Sequence, residues 1–135
     1  MSQGICSRDF FLIKFVTLKD DLEAVLTDLE TVGDIKLSAN ISRQGLLMVS
    51  KATQGSDIEA FAALTATLHM SAESTTKRLS KEIPKLIVVE TERHNLITYS
   101  AGPNALIVVL ASNEGFLGLI LTELKKAADR VKNWV

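Results

Sequence analysis

Six consecutive apolar residues, Ala105 to Leu110, constrain the fold of this chain more than any other stretch. Turn chemistry brackets the run, with Gly102-Pro103-Asn104 before it and Ser112-Asn113-Glu114-Gly115 after it, so its length is that of a strand. Apolar side chains at every position, rather than at alternate ones, require cover on both faces of that strand. Such a strand belongs in the middle of a sheet with a layer packed on each side. The remaining sequence must therefore supply neighbouring strands and helices for both faces.

It does so in order. Ile35 to Ile41 alternates apolar and polar residues at Ile35, Leu37, Ala39 and Ile41, the period of a half-buried strand. Ser42-Arg43-Gln44-Gly45 turns the chain, and Leu46 to Val49 returns as the second strand of a hairpin. Pro84 suits the start of a third strand. Leu86 to Val89 is apolar throughout and predicts cover on both faces. Arg93, His94 and Asn95 form the next turn, after which Leu96, Thr98 and Ser100 alternate with Ile97, Tyr99 and Ala101. With Ala105 to Leu110 this makes a three-strand meander.

Helices fill the gaps. Leu18, Leu22, Val25, Leu26 and Leu29 form a helical stripe, with Thr17 and Asp20 resembling a capping box and Gly33 just past the last turn. The stripe also extends backwards through Phe15 and Phe11 with Ser7 as an earlier cap. Arg8 to Val16 thus reads equally as helix or as a short strand. A loop through Thr53, Gly55, Ser56 and Asp57 ends in capping residues. It leads into a second helix from about Ile58 to Leu79, with Ile58, Phe61, Leu64 and Leu68 on one stripe. Beside that stripe runs a face of small residues, Ala62, Ala63, Ala66 and Ala72 with Thr65 and Ser71. It suits close approach of another backbone, and equally reflects the helix propensity of alanine. A third helix from about Phe116 turns Leu117, Ile120, Leu121, Leu124, Ala128 and Val131 inward, and Trp134 continues the stripe. Its outer face is charged, with Lys125 and Asp129 at ion-pair spacing. The order is αββαβββα, an α+β single domain with one antiparallel sheet covered by helices on both faces. Residues 1–17 read as an N-terminal apolar extension and residues 18–135 as the domain.

Composition narrows the function classes. Fifteen Lys and Arg face sixteen Asp and Glu over 135 residues, a formal charge of -1, so nothing draws the whole chain to nucleic acid or anionic membrane. The most basic stretch, Lys77, Arg78, Lys81 and Lys85, reads as a solvated helix end favourably placed against the helix dipole. No apolar run approaches the roughly twenty residues of a spanning helix, and no export signal is visible. The expected location is cytoplasmic, without membrane insertion.

Catalytic constellations are missing. The single cysteine, Cys6, excludes an internal disulfide framework and a multi-Cys zinc site. The two histidines, His69 and His94, lie too far apart for a local paired-His motif. Glu90, Glu92 and His94 read better as an exposed polar strand end than as a metal site. Seven glycines form neither GxGxxG nor a P-loop, and no GxSxG elbow appears. The sequence thus predicts no catalytic residue, no cofactor and no metal. It points to a binding module.

Three local sequences then carry a resemblance. The first is Leu26-Thr27-Asp28-Leu29-Glu30-Thr31-Val32-Gly33, followed by a strand and the Ser42-Arg43-Gln44-Gly45-Leu46 turn. The second is Ala101-Gly102-Pro103-Asn104-Ala105-Leu106-Ile107-Val108-Val109-Leu110, and the third runs from Asn113-Glu114-Gly115-Phe116-Leu117-Gly118-Leu119 to Lys125-Lys126-Ala127-Ala128. Together, in this order, they resemble the roadblock / dynein light-chain family over about Leu18 to Val131.

The resemblance implies a profilin-like, five-stranded antiparallel sheet with two helices on one face and the middle helix on the other. It also implies homodimers or heterodimers with another roadblock-like chain, formed through the middle helix and an edge strand. The implied interface is Phe61, Ala62, Thr65, Ala66, His69, Leu86, Ile87, Val88 and Val89. Family members are noncatalytic regulators or platforms for Ras-like small GTPases, or else constitutive scaffold and adaptor subunits of motor and signalling complexes. GTPase regulation is the leading expectation for this chain. Arg43, in the hairpin turn, invites the idea of an inserted arginine finger, but an ordinary surface arginine is the plainer reading.

Overall fold

A computed structural model of the chain describes residues 7–31, 34–52, 57–114 and 117–134. Cys6, the Gly33 helix stop, the loop residues Thr53, Gly55 and Ser56, and Phe116 lie outside the described residues. The elements are α1 (Ser7–Glu30), β1 (Ile35–Ser42), β2 (Leu47–Ala52), α2 (Ile58–Ser80), β3 (Leu86–Glu90), β4 (His94–Ser100), β5 (Ala105–Ser112) and α3 (Leu117–Trp134). The backbone from Ser7 is helical and passes Thr17 without a break, so the helical alternative holds for Arg8 to Val16 and the capping box at Thr17 does not form. Among the described residues no helix is long and apolar enough to cross a membrane.

The five strands form one antiparallel sheet in the order β2-β1-β5-β4-β3, which places the continuous apolar strand at the centre. Its side chains alternate between two cores. Ala105, Ile107, Val109 and Ala111 face α1 and α3, where they meet Leu22, Val25, Leu26, Leu29, Ile120, Leu124 and Val131. Leu106 and Val108 face α2 and join Ala39, Ile41, Ala62 and Ala66. Outside the first core, Arg130 bonds Asp28 at 2.8 Å across the two helices and lies 5.7 Å from the ring centre of Trp134. The Lys125–Asp129 pair suggested by spacing is not within ion-pair distance.

Four elements differ from their sequence reading. The turn read at Arg93, His94 and Asn95 ends at Arg93, because His94 and Asn95 open β4 and Asn95 pairs with Glu90. In β1, Ser38 and Asn40 were expected on a solvent face, yet both are fully buried. α1 covers that face, and Asn40 Nδ2 donates to the Leu22 carbonyl at 3.3 Å. In α2 the stripe of Ile58, Phe61, Leu64 and Leu68 divides: Ile58 and Phe61 pack against the second core, and the rest of it lies outside. Ala62, Thr65, Ala66 and His69 are buried, whereas Leu64 is 70% exposed and Leu68 36%. The reason is the close approach of the β1–β2 turn. Gly45 adopts φ +93°, and a Cβ there would lie 3.1 Å from Ala63 Cα, a distance only small residues on both sides allow. In β3, finally, cover is incomplete. Leu86 is 36% exposed and Ile87, Val88 and Val89 are half-buried, because β3 is an edge strand and α2 rests chiefly on β1 and β2.

Candidate functional site: a partner-binding face on α2 and β3

Strand register decides which way each edge residue points. Thr98 faces α2, since its Oγ1 lies 2.8 Å from His69 Nδ1. Ile87 pairs with Thr98 and Val89 with Leu96, so Ile87 and Val89 stand on the α2 side of the sheet. Leu86 pairs with Tyr99 and Val88 with Ile97, which puts these two on the side of α1 and α3. The nine residues expected at an interface therefore divide into three groups. Ala62, Thr65, Ala66 and His69 are packed against the chain's own sheet. Phe61, Ile87 and Val89 border the open ground beside α2, and Leu86 and Val88 lie on the opposite face. The exposed large apolar residues of α2 are Leu64, Leu68, Met70 and Leu79. Of these, Leu64 and Leu68 share their stripe with Ile58 and Phe61, and periodicity does not say which part of it is covered.

Exposed apolar groups on a helix, next to an uncovered apolar edge strand, form a surface suited to another polypeptide. The edge leaves one row of β3 backbone donors and acceptors without a strand partner.

Behind this face lies a polar tie. Arg43 leaves the β1–β2 turn and bonds Glu73 of α2 at 2.8 Å, with the two side chains only 16% and 18% exposed. The same guanidinium donates to Ser100 Oγ at the end of β4 and to the Gly102 carbonyl in the next turn. Four segments are joined through one side chain. Arg43 is thus an anchored structural group rather than an exposed surface arginine, and its guanidinium is not free to serve as a finger. His69 sits beside this tie, buried, with Nε2 unpartnered. Burial first, and the Arg43 charge second, hold its pKa below the usual 6.5, with Glu73 opposing.

At the other end of the sheet Glu90 and Glu92 are exposed and His94 opens β4. Asn113 bridges here, donating from Nδ2 to the Glu92 carbonyl at 2.7 Å and from its backbone N–H to the Arg93 carbonyl at 3.0 Å. Among the described residues no three His, Cys, Asp or Glu side chains converge on a possible metal position.

Comparison with known proteins agrees with the fold. A family model for the Roadblock/LC7 domain matches residues 21–111. Two uncharacterized proteins of Methanocaldococcus jannaschii, MJ0310 and MJ0714, are 28% and 27% identical over 111 residues, which is 82% of this chain and 96% and 93% of theirs. Among solved structures, Myxococcus xanthus MglB superposes with a TM-score of 0.81 at 24% identity, covering 85% of this chain and 87% of its own. The gliding protein MglB of Thermus thermophilus gives 0.79 at 20% identity, with 87% and 90% covered. A Roadblock/LC7 domain from Streptomyces avermitilis gives 0.73 at 20% identity, with 78% and 89% covered.

Proposed function

The chain belongs to the Roadblock/LC7 domain family, and from that premise we propose that it is a dimeric, noncatalytic regulator of a Ras-like small GTPase. The observation that carries the reading is the uncovered apolar face of α2 and β3, set on the fold that MglB shares. A second roadblock-like chain covers Leu64, Leu68, Ile87 and Val89 and pairs along the β3 edge. The paired subunits then present a composite surface to the GTPase. Regulation follows if that surface binds one nucleotide state of the switch loops more tightly, since a ligand shifts an equilibrium only by its differential affinity. With Arg43 held by Glu73, Ser100 and Gly102, the regulator acts by selecting a switch conformation.

Two measurements test this. Immobilised protein is exposed to host lysate containing GDP or a nonhydrolysable GTP analogue, and bound proteins are identified. A small GTPase retained in one nucleotide state is the expected result. Nucleotide-independent recovery of a large complex refutes regulation in favour of constitutive scaffolding. For the dimer, light scattering is compared for Leu64→Glu and the parent chain. A folded Leu64→Glu monomer is expected, and an unchanged dimer removes α2 from the interface.

A further inference from the structure

A concave feature lies at the opposite end of the sheet from Asn113, on the side of α3. The α2–β3 connection, the β4–β5 turn and one side of α3 border a half-open cleft of about 560 Å³. That is well within the size range of small-ligand sites and far larger than an inorganic ion needs.

Its charge is unlike that of the molecule as a whole. The chain carries a net -1, yet Lys85, Lys125 and Lys132 converge here from two elements far apart in sequence, against the one carboxylate of Asp129. None of these three lysines makes an ion pair with another described residue. Arg43 lies at the cleft with its charge matched by Glu73, and its buried Nε–H has no acceptor. The lysines bring more positive charge than the cleft's own carboxylate can balance.

The scaffold also sets where one of them lies. Gly102 adopts φ +84°, and a Cβ there would come within 3.2 Å of Lys132 Cγ. The bare turn lets the Lys132 stem cross it. Pro84, Tyr99, Pro103 and Ala128 also line the cleft, and the greater part of its surface is apolar.

We propose that this cleft binds a small organic phosphate. Lys85, Lys125 and Lys132 hold the phosphate oxygens, and the organic body lies on Pro84, Tyr99 and Pro103. Compact, mobile ammonium groups suit phosphate as point charges. Several of them around one opening suit a polyphosphate better than a single carboxylate. Asp129 disfavours a bare polyanion and offers an acceptor to a hydroxyl or amino group of the body. The site stands independently of any GTPase partner.

The test titrates the whole chain with ATP and with inorganic tripolyphosphate, following backbone amide shifts and heat. Saturable ATP binding below about 1 mM, with shifts at Ser100, Gly102 and Ala128, is expected. The variant Lys125→Glu/Lys132→Glu is expected to weaken ATP by at least about tenfold, whereas Lys19→Glu/Lys77→Glu, an equal charge change elsewhere on the surface, changes it by less than about twofold. Thermal melts confirm that both variants fold. Equal loss in the two variants reduces the effect to general electrostatics and overturns the site. Tripolyphosphate binding as tightly as ATP overturns the organic body. An acidic peptide such as hexaglutamate binding where ATP does not overturns the ligand class.

Discussion

Replacing Arg43 by Met is expected to destabilise the fold through Glu73 more than through Arg43 itself. The guanidinium makes three contacts, to Glu73, Ser100 Oγ and the Gly102 carbonyl. Ser100 and Gly102 are half-buried at the end of the sheet, so water replaces much of what they lose. Glu73 is different, because at 18% exposure its carboxylate would be left largely desolvated without its cation. A charged hydrogen bond contributes about 1.5–3 kcal/mol, and stranding a buried partner costs more. Incomplete burial lowers that ceiling, so Arg43→Met should lose about 2–3 kcal/mol. Glu73→Leu should lose less, about 1–2 kcal/mol, because Arg43 keeps its other acceptors. The double variant removes both charges and should cost no more than about 2 kcal/mol, leaving a coupling energy of at least about 1 kcal/mol. Urea unfolding followed by far-UV circular dichroism, at one fixed protomer concentration, measures all four species. Additivity within about 0.5 kcal/mol would refute the tie and return Arg43 to the surface.

Three further outcomes follow from single positions. Gly45→Ala should cost about 2 kcal/mol, since the position needs φ +93° and a new Cβ would meet the Ala63 backbone at 3.1 Å; an unchanged urea midpoint would contradict that approach. Lys81 closes α2 in the left-handed region at φ 61°, so Lys81→Gly should raise stability by about 0.5–1 kcal/mol in the same assay. His69 gives a pH dependence of definite sign. Its folded pKa lies below the unfolded 6.5, so the unfolded chain binds more protons and stability falls as pH drops below about 6.5 towards the folded value. The groups facing it are Thr98, Arg43 and Glu73. The stability gap between the parent chain and His69→Gln should therefore be constant above about pH 7 and narrow below it. A constant gap down to about pH 5 would place the imidazole in water.

The strands were largely legible in the sequence because their signals are local. Ala105 to Leu110 announces a two-faced central strand by composition alone, and Ser42 to Gly45 and Gly102 to Asn104 announce their turns. Ser38 and Asn40 misled because alternation reports polarity and not position: Asn40 lies inside with the Leu22 carbonyl accepting from its Nδ2, and Ser38 lies inside with its hydroxyl unpartnered among the described residues. α2 misled for another reason. It carries two apolar stripes, one of large residues and one of small, and periodicity marks both without ranking them. The ranking comes from Gly45, distant in the chain, whose backbone fits only against the alanines. The cleft at Lys85, Lys125 and Lys132 left no linear motif, since its cations come from positions that only the folded chain brings together.

The two stripes of α2 separate folding from association. Burying Leu64 and Leu68 inside would have removed more apolar surface from water per protomer, but it would have held the helix away from the β1–β2 turn and left Arg43 out of reach of Glu73. With the small stripe inward, Ala62 and Ala66 pack tightly enough to seat the tie, and Leu64 and Leu68 remain outside. A glutamate introduced on each stripe distinguishes the two roles. At Ala66 it would be forced into a core position only 3% exposed, with a cost of several kcal/mol that unfolds the chain. At Leu64, which is 70% exposed, the charge meets water and the protomer keeps its fold. If Ala66→Glu stays folded with a native near-UV spectrum while Leu64→Glu unfolds, the stripes are assigned the wrong way round, and the partner face on α2 goes with them.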